Sequence, residues 1–184
     1  MNKLFWILPF LTLASLGAGC GQTGQTQINS TSTDQMTTVS TTASQDQPAL
    51  NSCNWLTKTL AEQVLGGAVE GPSSRNVSNV VSTCTYGTVG TPMKSLTLLV
   101  RRAATRQESE QIFKQAKDES KAMSGAEPVQ VKNLGDEAYW TGGSLNQLNV
   151  RKGDDWLIVN FFGSDKGKEL DKSKEAMQLL LKNI

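Results

Sequence analysis

Two acidic doublets, Asp136-Glu137 and Asp154-Asp155, come nearest in this chain to the composition of a paired acid–base centre. Such a centre needs two carboxyl groups converging on one substrate bond. Neighbours on an extended strand point to opposite faces, so neither doublet converges on one atom. Asp154-Asp155 follows Gly153, where aspartate is ordinary turn chemistry, and neither doublet supplies the oxygen ligands of a calcium site. The chain of 184 residues contains no histidine. That removes Ser-His-Asp and Cys-His nucleophiles and His-ligated zinc. The expectation is a non-enzyme with no catalytic residue, no metal and no cofactor. Arg101, Arg102 and Arg106 form a small basic cluster that could meet lipid phosphates or an acidic glycan, with a solvated edge as its plain reading. Tyr139, Trp140 and Trp156 could form an aromatic platform. At 6% aromatic residues the core needs most of them, so packing is the expected role.

The remaining reactive side chains are three cysteines. Residues 4–16 are an apolar run behind Lys3, too short for a membrane span of roughly 20 residues, and they suit a secretory signal peptide over residues 1–19. Leu16-Gly-Ala-Gly-Cys20 resembles a bacterial lipobox, with the leucine one place further from the cysteine than usual. The resemblance implies a thioether-linked diacylglycerol on Cys20, often with a third acyl chain on its amine. The membrane is then a partner through this lipid. In a host with two membranes, Gly21 favours the outer one. The alternative is ordinary cleavage and a secreted, soluble protein. Cys53 and Cys84 remain as an even pair in an oxidising compartment. No CxxC spacing supports a reactive or metal-binding pair, so a structural disulfide is expected.

These groups must be carried by a short list of elements. Over residues 21–50, Thr, Ser and Gln fill 18 of 30 positions. That composition cannot offset chain entropy, so residues 20–50 read as a lipidated cysteine and disordered tether, either a plain spacer or a glycosylated stalk. Such a chain spans about 30 Å on average. Residues 51–184 read as a single α+β domain in the order helix, strands, helix, strands, helix. Leu56, Leu60, Ala61, Val64 and Leu65 mark a first helix between Thr57 as N-cap and Gly66-Gly67 as stop. Thr105-Arg-Gln-Glu108 is a capping box opening a second helix to about residue 122. Its thin apolar face is Ile112, Phe113, Ala116 and Met123. Strands are expected at 80–86, 96–101, 129–132, 137–141, 145–152 and 156–162, giving an antiparallel sheet of about six to seven strands with about three helices. On the first of these strands, one face carries Val80, Cys84 and Tyr86. Gly142-Gly143-Ser144 and Gly153-Asp154-Asp155 read as tight hairpin turns. The last strand is apolar on both faces, which marks a central or doubly covered position. Residues 168–184 place Leu170, Met177, Leu180, Leu181 and Ile184 on one face of a closing helix. The helix-then-meander order occurs twice, which raises a tandem repeat that no residue-level identity supports.

Cys53-Asn-Trp-Leu-Thr57, Leu65-Gly66, Cys84-Thr-Tyr86 and Leu134-Gly-Asp-Glu-Ala-Tyr139 occur in an order similar to that of small bacterial cell-envelope lipoproteins, common in actinobacteria and mostly of unassigned function. The resemblance implies a small α+β sheet with helices on one face and brings no catalytic residue. In the residues themselves, Gly135 suits a turn at positive φ and Asp136 suits bonds to nearby amides. The functional expectation is a membrane-anchored envelope module that binds a protein, glycan or lipid without catalysis. The alternatives are a lipid or glycan carrier with an apolar cavity between the sheet and residues 168–184, and a hydrolase using carboxylates alone. Formal charges of 18 positive and 17 negative exclude the basic excess of a nucleic-acid protein.

Overall fold

The computed structural model describes residues 48–164 and 167–184. The expected signal segment, Cys20 and all but the last residues of the expected tether lie outside the described residues. Three helices, α1 (Lys58–Leu65), α2 (Arg106–Ser124) and α3 (Glu169–Leu180), accompany seven strands. In chain order the strands are β1 (Ser73–Ser78), β2 (Val81–Gly87), β3 (Ser95–Arg102), β4 (Val129–Gln130), β5 (Glu137–Thr141), β6 (Gln147–Lys152) and β7 (Asp155–Phe162). They form one antiparallel sheet in the order β1-β2-β3-β7-β6-β5-β4, so the fold is α+β.

The doubly apolar strand, β7, takes the central position. Its Leu157, Val159 and Phe161 are buried beside Leu96, Leu98 and Val100 of β3 and Leu148 and Val150 of β6. On this face α1 contributes Leu60, Ala61, Val64 and Leu65, and α3 contributes Ala176, Met177 and Leu180, all in the main core. Burying a side chain of this size contributes roughly 1.5–3 kcal/mol. Met177 and Leu180 have no exposed surface, so the C-terminal half of α3 packs closely on the sheet. Leu50, placed by the sequence at the end of the tether, is also buried in this core and donates its N–H to Asn79 O at 3.0 Å.

The resemblance to envelope lipoproteins implied helices on a single face, but α2 lies on the other one. Phe113 of α2 packs edge-on against Tyr139 and Trp156, with ring centroids 5.0 and 6.0 Å away. Register aligns Tyr139 with Asn149 and Ile158, on the face opposite Leu157. The two helix-and-meander halves therefore place their helices on opposite faces, and one meander has three strands where the other has four. The inward side of α2 also differs from its expected apolar stripe. Ser109, Phe113, Ser120 and Ser124 are the buried residues, whereas Met123 is 59% exposed. Small serines let the helix approach a sheet face that is itself partly polar.

Local signals account for most element ends. Thr57 accepts the Leu60 N–H at 3.3 Å and Gly66 closes α1 with φ 75°. Thr105 accepts the Glu108 N–H at 3.1 Å, while the Glu108 carboxylate reaches the Ala104 N–H at 2.9 Å. Some expectations need correction. Val80 is exposed in the turn before β2, and Ser82 takes its place on the buried face with Cys84 and Tyr86. The strand at 129–132 shortens to Val129–Gln130. The strand at 145–152 begins at Gln147, so residues 142–146 are a loop rather than a tight turn. Gly143 is required there, because a Cβ would meet Ser124 O at 2.2 Å.

Candidate functional site

Cys53 and Cys84 form a disulfide with Cα atoms 5.1 Å apart. It ties the turn Ser52–Asn54 to the buried face of β2. Neither thiol is free for chemistry, and the pair acts as a staple.

The acidic doublets do not assemble a catalytic pair. Asp136 accepts the Gly153 N–H at 2.8 Å, Arg106 Nη2 at 3.0 Å and Arg151 Nη1 at 3.4 Å. The Gly153 amide leads among the contacts that hold its carboxyl below the usual aspartate range, with Arg106 and Arg151 adding to it. The bonded amide belongs to the β6–β7 hairpin, far from Asp136 in sequence, so Asp136 joins two turns instead of closing its own. Glu137 pairs with Lys117 Nζ at 3.4 Å. Asp155 takes Arg102 in a two-pronged pair at 2.8 and 3.2 Å, which holds the guanidinium above its ordinary range. Asp154 is exposed in the turn. With its carboxyl held below the usual range, Asp136 is a poor base. No group of three or more Cys, Asp or Glu side chains among the described residues is placed to hold a metal ion.

The basic cluster likewise separates into structural and free parts. Arg102 is consumed by Asp155 and lies 5.8 Å from the Trp55 ring centroid, and Arg106 is paired to Asp136. Arg101 alone is left exposed without an ion pair among the described residues. The three aromatics do not form a platform. Tyr139 and Trp156 lie on the α2 face, whereas Trp140, opposite Leu148 in register, packs against the main core. Burial, then the Glu137 charge, raises the Tyr139 hydroxyl above the tyrosine range, so it stays neutral.

A cavity does open beneath the C-terminal half of α2. A groove of about 200 Å³ is lined by Ala116, Ser120 and Met123 of the helix and by Tyr139, Thr141, Leu145, Gln147, Asn149, Trp156 and Ile158 of the sheet. None of these side chains carries a charge at neutral pH. Trp156 Nε1 donates to Asn149 Oδ1 at 3.2 Å, which fixes the orientation of both side chains. Thr141 is 1% exposed at the floor, and its hydroxyl has no hydrogen-bond partner. A buried, unpartnered hydroxyl costs about 1–3 kcal/mol; among the described residues Ser109, Ser173 and Arg151 Nε share that lack, and only Thr141 lines the groove. A second hollow of about 310 Å³ shares Ala116, Met123 and Trp156 with the groove and adds Arg101, Ile112, Gln115 and Glu119. Both lie along the flank of α2.

Sequence reading named Trp156 and Tyr139 but missed the groove they border, and it named Arg101, which lines the neighbouring hollow. Gln147, Asn149 and Arg151 alternate with Leu148 and Val150, a pattern that reads as the wet face of a half-buried strand. Only the placement of α2 over that face turns Asn149 into a buried group. Comparison with known proteins adds nothing to this assignment: no family model matches the chain, and no curated protein or solved structure is similar to it.

Proposed function

We propose that the chain is a membrane-anchored envelope lipoprotein whose folded module is a non-enzymatic binding unit. Lipid on Cys20 would hold it at the bilayer, and the Thr/Ser/Gln-rich segment would let the module reach a partner in the periplasm or at the cell surface. The observation that carries the binding role is the groove beneath α2, where a neutral, largely apolar lining surrounds the unpartnered Thr141 hydroxyl. A small number of polar groups in an apolar concavity is the ordinary composition of a recognition site. Its surroundings favour binding over catalysis, because Asp136, Glu137 and Asp155 are each held by a cation.

A photo-crosslinking side chain at position 123, on the groove rim, tests this in intact cells against the same group at Val77 on the exposed edge strand β1. The expected result is a defined adduct from position 123 that Val77 does not give. Equal adducts from both positions, or none from position 123, would remove the groove from the proposal.

A further inference from the structure

We infer that the groove and the hollow beside it take a neutral, phenol-sized ring carrying one hydrogen-bonding group and an amide-bearing tail, as in a tyrosine side chain on a peptide. This deepens the binding role proposed above and rests on it. Size comes first: an apolar cavity of about 150 Å³ holds benzene, and the groove measures about 200 Å³. It therefore admits one ring and not a second. Shape and chemistry agree with a ring, because Trp156 and Tyr139 offer aromatic surface while Ala116, Met123, Leu145 and Ile158 offer aliphatic contact.

Charge is excluded from the inner end. Ten residues line it without an ionised group, and transferring an unpaired charge there would be costly. One polar function is nevertheless called for. Thr141 Oγ1 has no partner, and Asn149 Nδ2 makes only a long 3.4 Å contact to Gln147 O. A phenolic hydroxyl, which both donates and accepts, matches either group once a small shift of the Thr141 side chain opens its buried hydroxyl to the groove. The outer end has the opposite character. Arg101 stands there without an ion pair, beside Gln115 Nε2 donating to Glu119 Oε1 at 2.8 Å. A guanidinium next to a carboxylate suits the alternating acceptors and donors of an amide-bearing tail. The two neighbouring hollows thus offer an apolar end and a dipolar end.

Methyl-resolved NMR of the full-length chain tests this, read at the Met123 ε-methyl and the Ile158 δ-methyl. The probes are toluene, p-cresol and N-acetyl-tyrosinamide. Wild type is expected to show both methyls shifting with p-cresol, at an affinity about five-fold above that for toluene, the worth of one net hydrogen bond. Thr141→Val keeps the shape of the side chain and is expected to erase that preference while retaining toluene binding. Ala116→Phe fills the groove and should silence all three probes. N-acetyl-tyrosinamide is expected to bind more tightly than p-cresol, because only it carries the amide tail, and weaker binding would overturn the assignment of the outer hollow to that tail. Unmoved methyls, equal affinity for toluene and p-cresol, or an unchanged preference in Thr141→Val would each overturn the inference. A silent groove together with adducts from position 123 in cells would reject this ligand class and leave the binding module standing.

Discussion

At the scale of single residues, Gly135 and Asp136 hold the end of the sheet beneath the start of α2. Gly135 has φ 58°, and a Cβ there would lie 2.4 Å from Arg151 O and 2.6 Å from Val150 Cγ1. Gly66 shares the left-handed conformation at φ 75° but faces open space. Gly66→Ala should therefore cost about 1–2 kcal/mol, and Gly135→Ala clearly more, because backbone must also move. Thermal unfolding of the two variants checks the order. Asp136 gives a pH signature. Its folded carboxyl titrates below its ordinary value of 3.8, so its stabilisation is complete above that value and is lost as pH falls through the lower folded one. Asp136→Asn should be less stable than wild type at pH 7, and the gap should narrow as pH falls below the ordinary carboxyl value and through the lower folded one in denaturant titrations. The Leu-Gly-Asp-Glu-Ala-Tyr stretch announced a turn with an amide-bonding aspartate. Its partner, the Gly153 N–H, depends on two hairpins meeting and has no local signal.

At the scale of elements, the parts with strong local chemistry were legible. The α1 caps, the α2 capping box and the doubly apolar β7 follow from Thr57, Gly66, Thr105, Glu108 and residues 156–162. Strand β1 was not legible, because Ser73–Ser78 is polar and exposed along its length and pairs only as an edge on β2. An edge strand needs no apolar face, so periodicity is silent about it. The α2 contact face was missed for a related reason, since serines there signal solvent in sequence but permit close approach in space. The disulfide is the element-scale device with the largest expected effect. It closes a sequence separation of 31, so Cys53→Ala with Cys84→Ala should lower stability by about 3–4 kcal/mol. Chemical denaturation of the variant and wild type measures that difference. Thr105→Ala, which removes one cap bond from α2, should cost only about 1 kcal/mol.

At the scale of the whole molecule, the sheet is covered unequally. One face is closed by α1 and α3, while α2 spans β5, β6 and β7 on the other. The groove lies at the margin of that partial cover, which is why no linear motif announced it. Its floor draws on β5, the following loop, β6 and β7, and their alignment exists only in the folded register. Charge has little part in the proposed role. Removing residues 1–19 takes away Lys3 and no acid, so 18 against 17 becomes 17 against 17. Without histidine, net charge should hardly change between about pH 5 and 8. Binding should accordingly be insensitive to pH over that range, as parallel titrations at its two ends would show. Attachment to the membrane would then rest on lipid rather than on a basic surface.

The most direct test of a membrane-anchored module is the intact mass of the mature protein extracted from its native membrane. The account predicts a chain beginning at Cys20 and carrying a diacylglycerol thioether, with or without a third acyl chain on the amine. A water-soluble chain with an unmodified Cys20, or one still beginning at Met1, would contradict it.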